Sequence, residues 1–162
     1  MTTGGAQRGL LRSLARAEVD FVLIGGHAVA AHGLERATRD VDIVYSPGAE
    51  SCERLAALLA ELRAEVVAAD EPAPRDGITG EWLTRGGHFR FATEFGPLDA
   101  LSEVSGFDYG RLAFDAVRIE LGDFELDVCS YEALLAMKAT GRPEDAEDLR
   151  RLRESRGDAT EG

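Results

Sequence analysis

Phe21-Val22-Leu23-Ile24-Gly25-Gly26-His27-Ala28-Val29-Ala30-Ala31-His32-Gly33, followed after a short gap by Arg39-Asp40-Val41-Asp42-Ile43-Val44, is the stretch on which the fold turns. The run from Phe21 to Ile24 is apolar and long enough for a buried strand. It stops at Gly25-Gly26. The alanine-rich segment that follows favours a short helix, with Gly33 placed to end it. In the next strand, residues two apart share a face. Asp40 and Asp42 therefore leave the sheet side by side, while Val41 and Ile43 enter the core. Two carboxylates held that close repel, and each raises the other's pKa unless a cation neutralises them. A divalent metal with oxygen ligands is the usual solution, and Mg²⁺ takes one or two carboxylates together with substrate phosphates.

Neither half of this stretch is specific alone. Asp-X-Asp is short and common, and by itself it reads as a solvent-facing pair beside a turn. Gly-Gly after a strand is more often a plain tight turn. The order of the parts changes the reading. Strand, Gly-Gly turn, helix and Asp-X-Asp strand suit nucleotide phosphates, because glycines let the backbone approach an anion and amides at a helix start point towards it. The carboxylates on the neighbouring strand would hold the metal that bridges those phosphates.

Taken as a unit, Ile24-Gly25-Gly26-His27-Ala28-Val29-Ala30-Ala31-His32-Gly33 and Arg36-Ala37-Thr38-Arg39-Asp40-Val41-Asp42-Ile43 resemble the signature of the DNA polymerase beta-like nucleotidyltransferase superfamily. The branch they resemble most is that of small bacterial nucleotidyltransferases, which includes abortive-infection-type toxins of toxin–antitoxin systems. Leu134-Leu135-Ala136-Met137-Lys138-Ala139-Thr140-Gly141-Arg142-Pro143-Glu144-Asp145 is similar to that branch's Lys-then-Gly-Arg-Pro-X-Asp element. The two elements stand in the right order and span most of the chain, although residues 65–87 match no known pattern.

The resemblance implies an α+β fold, with a small mixed β-sheet, helices packed mainly on one side and a helical C-terminal element. It implies transfer of a nucleoside monophosphate from an NTP to a hydroxyl acceptor, either an RNA 3′ end or a partner protein, with a cognate toxin or antitoxin as a further partner. Asp40, Asp42 and Asp99 would hold Mg²⁺ or Mn²⁺ and, with Lys138, form the catalytic set. Gly25, Gly26, Thr38, Arg39, Lys138 and Arg142 would bind the nucleotide. Many active members carry Gly-Ser at the turn, where the hydroxyl helps hold phosphates. Here the position is Gly26, as in some of the toxin-like branch. One phosphate contact is thus absent, and the alternative is a catalytically degenerate binding or regulatory module of the same fold.

The residues themselves nominate the third carboxylate less sharply. A pair of metals needs one more from elsewhere in the sheet, acting as ligand or as base beside the incoming hydroxyl. Asp99 lies between apolar neighbours in Leu98-Asp99-Ala100-Leu101. Asp127, in Glu125-Leu126-Asp127-Val128, is the competitor, and its hairpin context favours a surface position. Lys138 sits in an otherwise apolar helical segment, where a lone lysine ordinarily snorkels to solvent. His27, His32 and His88 form no ligand spacing and read as structural or exposed. Gly25-Gly26-His27-Ala28 also lacks the Gly-X-Gly-X-X-Gly spacing of a dinucleotide-binding turn.

Composition narrows the function classes. With 162 residues, 44% hydrophobic and 30% charged, the chain reads as one globular domain over residues 1–156 with a frayed tail at 157–162. No apolar run approaches the roughly 20 residues that cross a bilayer, and the start lacks the basic-then-apolar pattern of a signal peptide. The expected setting is cytoplasmic, without membrane contact. Cys52 and Cys129 are too few and too far apart for a disulfide framework or zinc site. The net charge of −12, from 18 basic and 30 acidic residues, opposes non-specific DNA binding. It leaves room for an RNA end in a cleft lined by arginines such as Arg36, Arg39, Arg85, Arg90 and Arg142, and it suits a basic partner protein.

Periodicity fills in the remainder. Leu10, Leu11 and Leu14 predict an amphipathic helix to about Ala17, and Leu55, Leu58, Leu59 and Leu62 predict one over Glu50–Leu62. Asp70–Gly80, with Pro72, Pro74 and Gly77, reads as a mobile loop. His88–Thr93 alternates as a strand and is followed by a turn and a second strand. Val117–Leu121 and Phe124–Val128 read as a hairpin around Gly122-Asp123. Ser130 is placed to cap a helix that Gly141 ends, and Pro143 opens the next.

Overall fold

The computed structural model describes residues 5–33, 39–139 and 143–155. Thr38, Arg142 and the expected tail at 157–162 lie outside them, so the expectations placed on those residues are not addressed by the fold.

In chain order the elements are α1 (Gly5–Arg16), β1 (Phe21–Ile24), α2 (Gly25–Ala31), β2 (Val41–Tyr45), α3 (Ala49–Glu61), β3 (Glu65–Ala68), α4 (Gly80–Thr84), β4 (His88–Thr93), β5 (Gly96–Leu101), β6 (Glu103–Val104), β7 (Phe107–Asp108), α5 (Tyr109–Phe114), β8 (Val117–Glu120), β9 (Glu125–Val128), α6 (Tyr131–Lys138) and α7 (Pro143–Ser155). Seven strands form one sheet in the order β3-β4-β5-β2-β1-β9-β8, and β6 pairs β7 separately. The sheet is mixed. β2 runs parallel to β5 and β1 parallel to β9, while β1–β2, β4–β5, β3–β4 and β8–β9 are antiparallel. This is the expected α+β architecture.

The central strands are apolar because they are covered. All four residues of β1 are buried, as are Val41, Ile43, Val44 and Tyr45 of β2. Leu10, Leu11 and Leu14 of α1 and Leu55, Leu58 and Leu59 of α3 join the same core cluster as these strands. Each such side chain contributes about 1.5–3 kcal/mol on burial. The α1 leucines recur at the spacing that keeps one helix face inward, as the periodicity required.

The middle of the chain, silent in sequence, supplies the sheet edge β3 and the short helix α4. Thr79 caps α4 by accepting from the Trp82 amide at 3.1 Å. Trp82 then stands edge-on to Phe89, with ring centroids 4.7 Å apart, and the Tyr45 hydroxyl donates to the Leu83 carbonyl at 2.6 Å. These contacts hold α4 against β4 and β2. The strand expected from Asp40 begins one residue later, at Val41. Ser130 caps α6 as expected, accepting from the Ala133 amide at 3.0 Å. Among the described residues, no helix is long and apolar enough to cross a membrane.

Candidate active site

The meeting of β1, β2 and β5 brings Gly25, Asp42 and Asp99 together. Because β1 and β2 are antiparallel, Ile24 at the end of β1 lies opposite Asp42, and Gly25 follows immediately. Gly25 has φ +71°, and a Cβ built on it would run into the Asp42 carboxylate. Glycine is needed there twice over, for the left-handed backbone and for the close approach. The Gly25 turn therefore seats the Asp42 carboxylate as well as opening α2.

Parallel pairing of β2 with β5 puts Asp42 directly opposite Asp99. Val41 and Ile43 are fully buried, so Asp42 leaves on the other face with Asp99 beside it. Asp40, just before β2, completes the group. Asp42 is the carboxylate under most pressure, with its pKa pushed up to about 7. Burial is the largest cause, followed by the charge of Asp99, the hydrogen bond it shares with Asp99, and the charge of Asp40. Arg90 acts in the opposite direction.

Strand β4 supplies two groups that the sequence did not place with the carboxylates: Arg90, named only among arginines for an RNA cleft, and His88, read as structural or exposed. Phe89 and Phe91 point into the core, so His88 and Arg90 emerge on the carboxylate side. Antiparallel pairing sets Arg90 opposite Asp99. Its Nη1 donates to Asp99 Oδ2 at 2.6 Å, and the same guanidinium reaches Asp40 at 3.4 and 3.5 Å. Hydrogen bonding to Asp40, then the charge of Asp99, holds the Arg90 pKa above its ordinary value. His88 Nε2 lies 2.9 Å from Asp99 Oδ1. Asp99 is thus engaged on both oxygens, with its side chain only 8% exposed. The signal was present in the alternation His88-Phe89-Arg90-Phe91 and in the short hairpin to Gly96. Together these fix Arg90 against Asp99 once the turn is placed at Glu94-Phe95.

The other candidates separate. Arg39 is exposed, and its carbonyl accepts from Gln7 at 3.3 Å. Lys138 neither snorkels nor opens to solvent. Its Nζ lies 2.9 Å from Asp148 of α7, with the two side chains 10% and 8% exposed. Asp127 is two strands away from Asp42 and pairs with Arg118 at 3.2 Å. His32 Nε2 lies 2.8 Å from the Cys129 carbonyl, tying the end of α2 to the end of β9. His27 is buried, neither ring nitrogen has a hydrogen-bond partner among the described residues, and burial lowers its pKa.

The donor set suits a hard divalent cation. It offers only carboxylate oxygens, and it leaves Asp42 short of compensating charge. Among the described residues, no three acidic, histidine or cysteine side chains already stand in a metal-holding arrangement. Among the described residues, His88 and Arg90 engage Asp99, and Arg90 also reaches Asp40.

Comparison with known proteins bears on the fold and the family. No curated protein sequence matches the chain significantly. Among solved structures, a lincomycin-bound lincosamide antibiotic adenylyltransferase, LnuA, shares the fold at TM-score 0.64 and 16% identity, over 94% of this chain and 97% of that one. A Thermotoga maritima protein assigned to the nucleotidyltransferases aligns at TM-score 0.60 and 17% identity, over 95% and 96%. ANT(2″)-Ia, in complex with adenylyl-2″-tobramycin, aligns at 0.55 and 16%, over 93% and 90%. At these identities the likeness establishes the fold. The family model described as nucleotidyl transferase AbiEii toxin, type IV TA system, matches residues 8–154, nearly the whole chain. The chain therefore belongs to the AbiEii nucleotidyl transferase toxin family.

Proposed function

We propose that this protein transfers a nucleoside monophosphate from an NTP to a hydroxyl acceptor, using the carboxylates of Asp40, Asp42 and Asp99. The observation that carries this reading is that Asp42 and Asp99 stand opposite each other on β2 and β5 beside Gly25, with Asp40 just before β2 and with burial and the neighbouring carboxylates pushing the Asp42 pKa up to about 7.

Asp40, Asp42 and Asp99 would hold Mg²⁺ or Mn²⁺, which when bound neutralises triphosphate charge and polarises the α-phosphate. The backbone at Gly25 and Gly26 lets the phosphates approach, Arg39, Thr38 and Arg142 would be further nucleotide contacts, and Lys138 would join them only by giving up its pairing with Asp148. In the transfer, the acceptor oxygen bonds to the α-phosphorus while the bond to the β-phosphate oxygen breaks, and pyrophosphate leaves. The hydroxyl proton passes to Asp99. His88, 2.9 Å from Asp99 and 55% exposed, stands between that carboxylate and solvent. Catalysis on this account is positioning and electrostatics.

The acceptor is an RNA 3′ end or a hydroxyl of a partner protein. The family's toxin–antitoxin setting makes a cognate antitoxin the expected partner. One observation favours a second reading, a non-catalytic module: Arg90 and His88 already satisfy both oxygens of Asp99, and Gly26 offers no hydroxyl to phosphate.

Incubating wild type and Asp40→Ala/Asp42→Ala with α-³²P-labelled NTPs, Mg²⁺, total RNA and lysate protein separates the two readings. Label in one fraction with wild type alone supports transfer and identifies the acceptor class. No label from folded protein, and no melting shift with Mg²⁺ and NTP, supports the module.

A further inference from the structure

Arg90 is positioned by the sheet and not by a loop. Buried Phe89 and Phe91 fix its strand, and antiparallel pairing aims it at Asp99. Its fork takes Asp99 Oδ2 and both oxygens of Asp40. Those are the hard oxygen donors that a divalent cation would require. A guanidinium and a dication cannot share them, because like charges at contact distance repel strongly. The Arg90 side chain is 35% exposed, so it has room to leave. Once it leaves, the nearest partner of matching chemistry is a phosphate, which guanidinium groups bind through paired N–H donors.

We propose that Arg90 is the resident cation of the carboxylate site: it competes with the divalent metal for Asp40 and Asp99, and it is released to the triphosphate when metal and nucleotide arrive together. This rests on the carboxylates forming the metal site, as in the reading above. The consequence is coupling. Metal alone meets an occupied site, whereas metal with nucleotide gives the guanidinium an alternative partner. Metal loading then follows nucleotide binding, and the free protein is shielded from idle metal occupancy.

The test is Mn²⁺ binding followed by electron paramagnetic resonance, without turnover, for wild type, Arg90→Ala, Arg90→Gln and Arg90→Lys. Each is titrated with Mn²⁺ alone and with a non-hydrolysable NTP analogue. Arg90→Ala should bind Mn²⁺ alone about tenfold more tightly, the equivalent of one charged hydrogen bond exchanged. Arg90→Lys, which keeps the charge, should stay near wild type. The analogue should tighten Mn²⁺ binding more in wild type than in Arg90→Ala. If Arg90→Ala does not fold, Arg90→Gln carries the same expectation. Equal or weaker Mn²⁺ binding in the neutral variants, with binding lost in Asp42→Asn, overturns the role of Arg90 and leaves the metal site standing. Mn²⁺ binding to none of the proteins overturns both.

Discussion

Asp42 of β2 and Asp99 of β5 stand directly opposite each other across a parallel strand pair, and their carboxyl groups are hydrogen-bonded. With both carboxylates ionised, that arrangement costs the sheet stability. Asp42 has its pKa raised from an ordinary 3.8 to about 7, so in the metal-free protein protonation favours the folded state. The stabilisation is full below about pH 4 and is lost as pH rises towards 7. Asp42→Asn should remove this dependence. In EDTA at pH 8 the variant should melt above wild type by roughly 5 °C, while losing transferase activity. Melting curves from pH 5 to pH 8 check this, and parallel pH profiles for the two proteins would contradict it. Mg²⁺ should flatten the wild-type profile.

Gly25 faces a double constraint, from φ +71° and from the Asp42 carboxylate. Gly25→Ala should cost about 1–3 kcal/mol of stability, measurable by urea unfolding. Asp42→Ala should relieve part of that cost, because the steric partner is gone. Additive penalties in the double variant would mean that the two residues do not press on each other.

The pairing of Lys138 with Asp148 separates a structural role from a catalytic one. Both side chains are nearly buried, and removing one partner from such a pair costs about 3–5 kcal/mol. Lys138→Met should therefore destabilise strongly, and Lys138→Met/Asp148→Leu should recover much of the loss. If Lys138 also contacts the triphosphate, the double variant will be stable yet show a raised KM for NTP. A stable double variant with wild-type kinetics would confine Lys138 to holding α6 against α7.

His27 gives the opposite pH signature to Asp42. Its ring is buried without a hydrogen-bond partner among the described residues, and its pKa is lowered from 6.5 by burial. Stability from this residue is complete above pH 6.5 and is lost as pH falls through that value. His27→Leu should remove the loss and stabilise the protein by about 1 kcal/mol. Chemical denaturation at pH 5.5 and pH 8 reads the effect. An unchanged difference between the two pH values would contradict it.

Much of the site was legible because period-two alternation leaves little choice. Val41 and Ile43 go inward, so Asp40 and Asp42 emerge together, and the apolar setting of Asp99 pointed to the neighbouring strand. Arg90 and His88 were harder to read. Their importance comes from β4–β5 register, which depends on a turn, and local composition made them look like solvated side chains. Lys138 shows the limit of helix periodicity, which cannot reveal that Asp148 from the next helix closes over it. β3 and α4 were missed for a related reason. They are short and take their stability from Trp82 and Phe89 packing rather than from propensity.

The central claim is that Asp40, Asp42 and Asp99 form one divalent-dependent nucleotidyl-transfer site. The most direct test is the single-turnover rate of α-³²P transfer for wild type and Asp42→Asn across a Mg²⁺ titration, with melting curves confirming that both are folded. The account predicts a saturable Mg²⁺ dependence in wild type and a loss of about a thousandfold or more in the variant, comparable to removing a principal transition-state contact. Transfer by Asp42→Asn at near wild-type rate, or transfer by wild type in EDTA, would contradict it.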